Sequence, residues 1–326
     1  QQRVALEIGY EALRTAAWDR AALLSSQLGV YAGVTFLAFE DDLQSSPVGS
    51  IVYAATGSSL SVVCGRFSYS LGVHGPCLSI ETACSAALAA IHAASRALQN
   101  DECDGRALAA GVNLMLRPVI ASRFAVAGMT SPNGRCHTFD HRADGYSRGE
   151  ACCGIALTSL KTDRSVLHGI SVRQDGRSAS LTAPNGQAQQ GLIGAALNDA
   201  SLSPDRLSMA EAHGTGTALG DPIETSSLAA AVMLRRSADL PSLAAGSGKA
   251  NAGHAEPTAG ISGLVKLALQ LHNKSPAQNA QLRVINPRVV GALRALSSAM
   301  VVQPTKSAQG EAGGVSSFGY SGTIVH

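Results

Sequence analysis

Residues 76–101 read PCLSIETACSAALAAIHAASRALQND. The first part, PCLSIETA, has the length and branching of a buried strand. In the second, Leu88, Ile91, Ala94, Ser95 and Leu98 recur on one helical face, which predicts a helix from about Ser85 onward. Cys84 falls at the junction. There the unpaired N–H groups and the dipole of a helix start favour a thiolate and lower its pKa. A strand-to-helix turn is also where other folds expose a nucleophile. Against this stands the ordinary habit of free cysteine, which is among the most buried residue types. Position alone leaves both readings open.

Outward from this unit the pattern is one of alternation. The opening QQRVALEIGYEALRTAAWD predicts an amphipathic helix, with Leu6, Leu13 and Ala17 beside Ile8 and Ala12. VYAGVTFLAF reads as a strand, followed by an acidic, Ser-rich loop near Asp41, and residues 59–71 read as a helix ending at Gly72. RALAAGVNLML and ACCGIALTSL read as strands on either side of a loop-rich stretch, Gly128 to Glu150. After VLHGISVRQDG, helices near 187–200, 221–236 and 257–272 alternate with strands LSMAEA and LAAGSG. Such alternation implies parallel sheets covered by helices. No internal repeat and no low-complexity linker marks a domain boundary.

Composition narrows the class. The 326 residues suffice for a sizeable core, as one large domain or two packed halves. With 45% hydrophobic residues, 34 glycines and 4% aromatics, the chain fits a glycine-loop-rich α/β enzyme better than a coiled coil or a disordered tail. A formal net charge of +2 without any Lys/Arg block argues against a nucleic-acid partner. Apolar runs are broken well short of the ~18 residues a membrane span needs, and no signal or transit segment is visible. Seven cysteines, an odd number with no CxxC pair, suit a reduced, cytoplasmic chain better than a disulfide framework. Cys136, His137, His141, Cys152 and Cys153 match no metal-ligand spacing, so no metal is expected.

Two further junctions resemble the one at Cys84. In EAHGTGTALGDPIE, His213 ends a strand and opens a glycine/threonine loop; in GSGKANAGHAEPTAG, Lys249 and His254 lie between a strand and a helix. A lone histidine is usually structural. Two at equivalent strand ends are another matter, because ligands of parallel α/β sheets collect outside the carboxyl ends of strands. A cysteine with two histidines gives a nucleophile and two polar electrophilic groups. GTGT lacks both the Lys-Ser/Thr of a phosphate loop and the GxGxxG of a dinucleotide fold. GVSSFGYSG near the end of the chain is a tight loop able to aim a backbone N–H as an oxyanion donor.

Taken in order, these stretches resemble the β-ketoacyl synthase (ketosynthase) domain of modular type I polyketide synthases, in the thiolase-like superfamily. The likeness spans essentially the whole chain. It is carried by the opening QQR, GPCLSIETACSAAL, GRCHTFDHRADGYSRGE, QDGRSASLTAPNG, EAHGTGTALGDPIE, KANAGH and GVSSFGYSG. The resemblance implies an α/β, thiolase-like fold: two similar βαβ-type halves in a layered α-β-α-β-α arrangement. Residues 1–160 would form the half with the nucleophile, incomplete at its start, and residues 161–326 the half with the histidines and lysine.

It further implies that Cys84 accepts the acyl group, that His213 and His254 act on a malonyl thioester, and that Lys249 supports them. Glu224 would be structural. Thr215 and Thr217 would line a phosphopantetheine arm, and Phe318 and Tyr320 would belong to a gating loop. The backbone N–H groups of Cys84 and Tyr320 would form the oxyanion hole. No cofactor is expected on the chain itself, because the phosphopantetheine belongs to a partner acyl carrier protein. Acyl and malonyl-type thioesters, neighbouring synthase domains such as an acyltransferase, and a second copy of the chain are the other implied partners. The apolar run around Val62, Val63 and Phe67 is a candidate for that dimer interface.

The chain departs from the family pattern in several places. Family members begin well before QQR, so an opening segment is expected upstream, and His326 is expected inside a last strand. The loop at Thr162–Val166 is shorter than usual, and Glu81 stands where an aspartate is usual. GFSGTNAH is here GYSGTIVH, so Ile324 replaces an asparagine whose hydrogen bonds help position the gating loop. The reaction implied is decarboxylative condensation of an acyl-cysteine with a malonyl thioester. Its rival is a non-elongating ketosynthase-like domain that passes acyl chains on without condensing them; such domains often lack the histidine present here as His213. A thiolase acting on coenzyme A fits poorly with HGTGTALGDPIE and KANAGH. A non-enzymatic interaction module leaves Cys84, His213, Lys249 and His254 unexplained.

Overall fold

The computed structural model describes residues 1–35, 52–160, 165–293, 298–302 and 312–326. The far end of VYAGVTFLAF, the acidic loop near Asp41 and most of the Thr162–Val166 loop lie outside the described residues. Two units interleave along the chain. One comprises Gln1–Ile120, Glu150–Arg164 and Glu256–Ile261; the other comprises Ala121–Gly149, Ser165–Ala255 and Ser262–His326.

In the first unit, α1 (Gln2–Thr15), β1 (Gly29–Gly33), α2 (Ser61–Leu71), β2 (Cys77–Ile80), α3 (Ala86–Gln99), β3 (Arg106–Asn113) and β4 (Ala151–Thr158) build a helix-covered sheet. Strand order is β2-β1-β3-β4. β1 runs parallel to β2 and β3, and β4 is antiparallel to β3. Successive strand side chains point to opposite faces. Val30, Ala32, Leu108 and Val112 accordingly meet α1 and α2 through Leu13, Val63, Phe67 and Leu71, while Tyr31 and Ala107 meet Ala90, Ala94 and Ala97 of α3. Each fully buried leucine or valine contributes roughly 1.5–3 kcal/mol by leaving water. Gly33 sets the approach of β1 to α3: a Cβ there would overlap the backbone nitrogen of Ala87.

The second unit repeats the plan. β6 (Leu207–Glu211), β7 (Leu243–Gly246), β8 (Ser298–Met300) and β9 (Ala312–Val315) form an all-parallel sheet in the order β8-β7-β6-β9. α4 (Gly186–Asp199) and α5 (Gly220–Ala231) cover one face through Ile193, Leu197 and Leu228 against Leu207, Leu243 and Ala245. α6 (Ala259–Asn273) places Leu267 with Met209, Ala244 and Val301. A small antiparallel sheet, β10-β11-β5, joins β10 (Ser317–Phe318), β11 (Thr323–Val325) and β5 (Val172–Gln174).

Several expectations need correction. PCLSIETA is an edge strand rather than a buried one: among the described residues β2 pairs only with β1, Cys77 is exposed and Leu78 is 48% exposed. Val63 and Phe67 are core residues, each 1% exposed and packed with β1 and β3, so of the run expected at a dimer interface Val62, half-buried, alone keeps exposed surface. The opening helix stops at Thr15, and Ala17 is exposed with φ 61°. α5 ends at Ala231, where Val232 leaves helical geometry and a short 3₁₀ turn follows. The alternation also concealed the antiparallel pairings of β4 and β5.

Candidate active site

Cys84 lies in the first unit, in a 3₁₀ turn (Ala83–Ser85) between β2 and α3. Ala83 has φ 52°, a left-handed conformation that a non-glycine residue adopts at a cost of roughly 1–2 kcal/mol. The fully buried Ser85 locks the turn, its Oγ donating to the carbonyl and the hydroxyl of Thr82, both at 2.9 Å. Cys84 itself is 9% exposed at the helix start. Glu81, three residues earlier, is exposed.

In the second unit, β6 runs straight into the His213 loop. The buried carboxylate of Glu224, on α5, accepts the backbone N–H groups of His213 (2.6 Å) and Gly214 (2.8 Å). Asp221 accepts from Gly216 N–H (3.1 Å) and Phe139 N–H (2.7 Å), and Thr138 Oγ1 donates to the Gly214 carbonyl (2.6 Å). Gly214 and Gly216 have φ 46° and 77°, and Cβ atoms there would press on Ser247, Thr138 and the His137 backbone, so only glycine fits. Burial pushes the Glu224 carboxyl up to about 7, backbone donors and Asp221 modifying the effect; burial likewise lifts Asp221 to about 6. Thr215 is buried, and its hydroxyl lies 3.5 Å from that of Thr217.

β7 leads to a single helical turn, Lys249–Ala252, that ends at Gly253. His254, fully buried, is held as in a strand pair: its N–H donates to Ser147 (2.7 Å), and its carbonyl accepts from Gly149 N–H (2.8 Å). The Tyr146 ring packs edge-on against it, 5.0 Å between centroids. The His213 and His254 rings meet perpendicularly at 5.5 Å. Burial, then the buried Lys249 ammonium and the His254 ring, hold His213 well below its usual pKa; burial, then Lys249 and Arg148, do the same to His254. Both imidazoles are therefore neutral at pH 7.

The third loop of this unit follows β9. Phe318 N–H donates to His213 Nδ1 (3.3 Å), and the two rings lie 5.4 Å apart. Nδ1 is thus the acceptor, which puts the His213 proton on Nε2. Gly319 N–H donates to the Thr323 carbonyl (2.8 Å), and Gln174 Nε2 to the Ser321 carbonyl (3.1 Å). Ile324 is fully buried against Leu192 and Phe318, so packing stands where the family's asparagine would offer hydrogen bonds. Tyr320 is 45% exposed, with its ring edge-on to Phe124, which in turn lies 5.4 Å from the Arg148 guanidinium.

The structure thus brings together His213, His254, Lys249, Glu224, Thr215, Thr217 and Phe318 within one unit. Tyr146, Arg148 and Asp221 escaped the sequence reading. They sit inside motifs already quoted, GYSRGE and GDPIE, but their contacts join distant stretches that no local periodicity reveals. Cys77 escaped it as well: exposed on β2, its thiol is lowered to about 6, chiefly by the neighbouring Cys64 thiol. Among the described residues no three His, Cys, Asp or Glu side chains gather as a metal site, and no helix is long and apolar enough to cross a membrane.

Two helix-covered sheets, one with a cysteine at a strand-to-helix turn and one with neutral histidines on its strand-end loops, define the thiolase-like class. Within it the chain belongs to the β-ketoacyl synthase family: the family's N-terminal domain matches residues 1–163 and its C-terminal domain residues 164–283. It is 40% identical, over its whole length, to 15% of a phenolphthiocerol/phthiocerol polyketide synthase polypeptide of Mycobacterium tuberculosis. It is 39% identical to 10% of the erythronolide synthase EryA3 of Saccharopolyspora erythraea. Among solved structures, the oxazolomycin ketosynthase domain OzmH KS7 of Streptomyces albus JA3453 superimposes on all of the chain with a TM-score of 0.92 and 32% identity, 59% of that domain being covered. The module 6 ketosynthase of the bacillaene synthase of Bacillus subtilis 168 gives 0.86 and 31%, with 57% covered. The chain therefore spans a small part of these curated relatives and under two thirds of these solved domains.

Proposed function

We propose that this β-ketoacyl synthase chain is the ketosynthase of a modular type I polyketide synthase, catalysing decarboxylative condensation of an acyl-cysteine with a malonyl-type thioester. The observation that carries the reading is the His213–His254 pair: rings 5.5 Å apart, both held neutral, with the His213 proton on Nε2. Neutral imidazole N–H groups suit an enolate oxygen, because they stabilise charge that appears only as the reaction proceeds.

In this reading the Cys84 thiolate attacks the carbonyl of an acyl thioester, and the tetrahedral intermediate expels the carrier thiol. Backbone N–H groups of Cys84 and Tyr320 receive the developing oxyanion. The malonyl thioester then loses CO2, and the bonding pair becomes an enolate held by His213 and His254. Its carbon attacks the acyl-Cys84 carbonyl, the Cys84 thiolate departs, and a β-ketoacyl thioester is released. Burial keeps both histidines neutral, and the charge of Lys249 adds to the effect. Glu224 holds the His213 loop, and Phe318 with Tyr320 closes the site.

The donor of both thioesters is an acyl carrier protein, whose phosphopantetheine arm passes Thr215 and Thr217; the chain needs no cofactor of its own. The residues are assigned to a nucleophile half, 1–160, and a histidine half, 161–326, working beside other synthase domains, an acyltransferase among them, in the cytoplasm. The edge of β2, unpaired among the described residues and with Leu78 half-exposed, suits a homodimer.

Mass spectrometry of the protein after incubation with acyl- and malonyl-carrier proteins tests the reading. Acyl-Cys84 and a β-keto product are expected. His213→Ala or His254→Ala should keep acyl loading while product falls by roughly 10²-fold or more, the scale of losing one positioned donor. Cys84→Ala should abolish loading. An unsubstituted chain that loads Cys84 yet never condenses with a competent malonyl donor would establish the non-elongating role instead.

A further inference from the structure

We propose that Glu211 is a positioning residue for the histidine pair: its carboxylate, shared between the Lys266 ammonium on α6 and the backbone N–H of Gly248, holds the β6 and β7 strand-end loops in register. The proposal deepens the functional reading above and rests on it for its kinetic consequence. Glu211 is the last residue of β6, two positions before His213, and is 4% exposed. Its Oε1 accepts from Gly248 N–H at 2.6 Å, immediately before Lys249, while its Oε2 pairs with Lys266 Nζ. Its own carbonyl accepts from Ser316 N–H (2.9 Å), two residues before Phe318. One residue thereby touches the roots of the His213, Lys249 and Phe318 loops.

The room for this pair is built in. A Cβ at Gly248 would come within 3.1 Å of Lys266 Cδ, and a Cβ at Gly263 within 3.0 Å of Glu211 Cγ. A buried ion pair is weak evidence for stability, since desolvating two charges offsets much of their attraction, and well-packed apolar residues often replace such a pair without loss. Its better-attested use is to fix register. Here register has a specific meaning. Sliding the Gly248 turn along β6 displaces Lys249 and the loop that leads to His254 relative to His213, and a displacement of about 1 Å can cost about 10²-fold in rate.

The test compares Glu211→Ala, Glu211→Gln, Lys266→Met and Lys266→Arg in the full chain, measuring acyl loading of Cys84, condensation and amide exchange at Gly248. Glu211→Ala should cut condensation about 10²-fold, leave loading within about twofold and expose the Gly248 amide, in keeping with the cost of small misplacements. Glu211→Gln, which keeps an acceptor for Gly248, should recover most of the rate, and Lys266→Arg should recover what Lys266→Met loses. Loading and condensation falling in parallel in Glu211→Ala, or rescue by neither conservative variant, would overturn the proposal. If Glu211→Ala does not fold, the two Lys266 variants decide by the same criteria. If the unsubstituted chain loads but does not condense, the functional reading fails separately. Glu211 is then judged on Gly248 exchange: loss of protection in Ala but not in Gln supports it, and equal protection in both overturns it.

Discussion

Replacing Ile324 with the asparagine usual in the family should weaken this protein. Ile324 is fully buried, and its neighbours are the apolar side chains of Leu192, Phe318 and Ala188. The surrounding backbone is already committed: Phe318 pairs with Ile324, and Ile324 with Arg173, in the antiparallel ladder. Asparagine has as many side-chain heavy atoms as isoleucine, though it fills less space, so polarity rather than a large cavity is the main cost. The change forfeits roughly 1.5–3 kcal/mol of apolar burial and leaves an amide without a partner at about 1–3 kcal/mol. The sum, about 2.5–6 kcal/mol, is a large fraction of the ~5–15 kcal/mol that holds a typical domain together. Urea unfolding followed by circular dichroism should show a midpoint lower by about 1 M or more. Ile324→Val, which keeps the apolar contact, should cost only about 1 kcal/mol. An Ile324→Asn variant as stable as the parent, or more so, would refute the reasoning, since a hydrogen-bond partner would then have to exist beside Phe318.

At neutral pH, iodoacetamide should mark Cys84 and the exposed Cys77 well before Cys136 and Cys152, whose thiols burial raises, Cys152 to about 12; peptide mapping with Cys152 or Cys136 labelled first would sink the assignment. Folded Glu224 keeps its proton up to about 7, whereas the unfolded chain releases it near 4.5, so its contribution is fully present below 4.5 and lost as pH rises to 7. Glu224→Gln should therefore flatten the fall in stability across this window, by up to about 3 kcal/mol, read from denaturant midpoints at successive pH values. Gly33→Ala should lower the melting temperature through an overpacking cost of about 1–3 kcal/mol or more, whereas Gly57→Ala, with nothing near its added Cβ, should leave it unchanged or raise it.

What the sequence disclosed follows from the range of each signal. The helix after Cys84 was legible because Leu88, Ile91 and Ala94 repeat at 3–4 residues, and the structure begins it at Ala86, one residue late. His213 and His254 were legible because strands, glycines and histidines adjoin in the chain. The stripe of Val63 and Phe67 shows that something is buried but not against what, so the sequence alone does not separate a core surface from an interface. β9 to β11 are two to four residues each, too short for any period to show. Arg148 beside His254, and Glu211 beside Gly248, are products of topology and invisible to any local window.

The Phe318 N–H that ends on His213 Nδ1 makes the loop after β9 a selector of tautomers. While the bond stands, the imidazole carries its proton on Nε2. Any displacement of Phe318 withdraws the donor, and Nδ1 is then free to take the proton and leave Nε2 a bare lone pair, unable to donate. Loop position and proton position are two readings of one coordinate. A chain carrying this contact fixes, through a single backbone hydrogen bond, which nitrogen of the His213 ring donates.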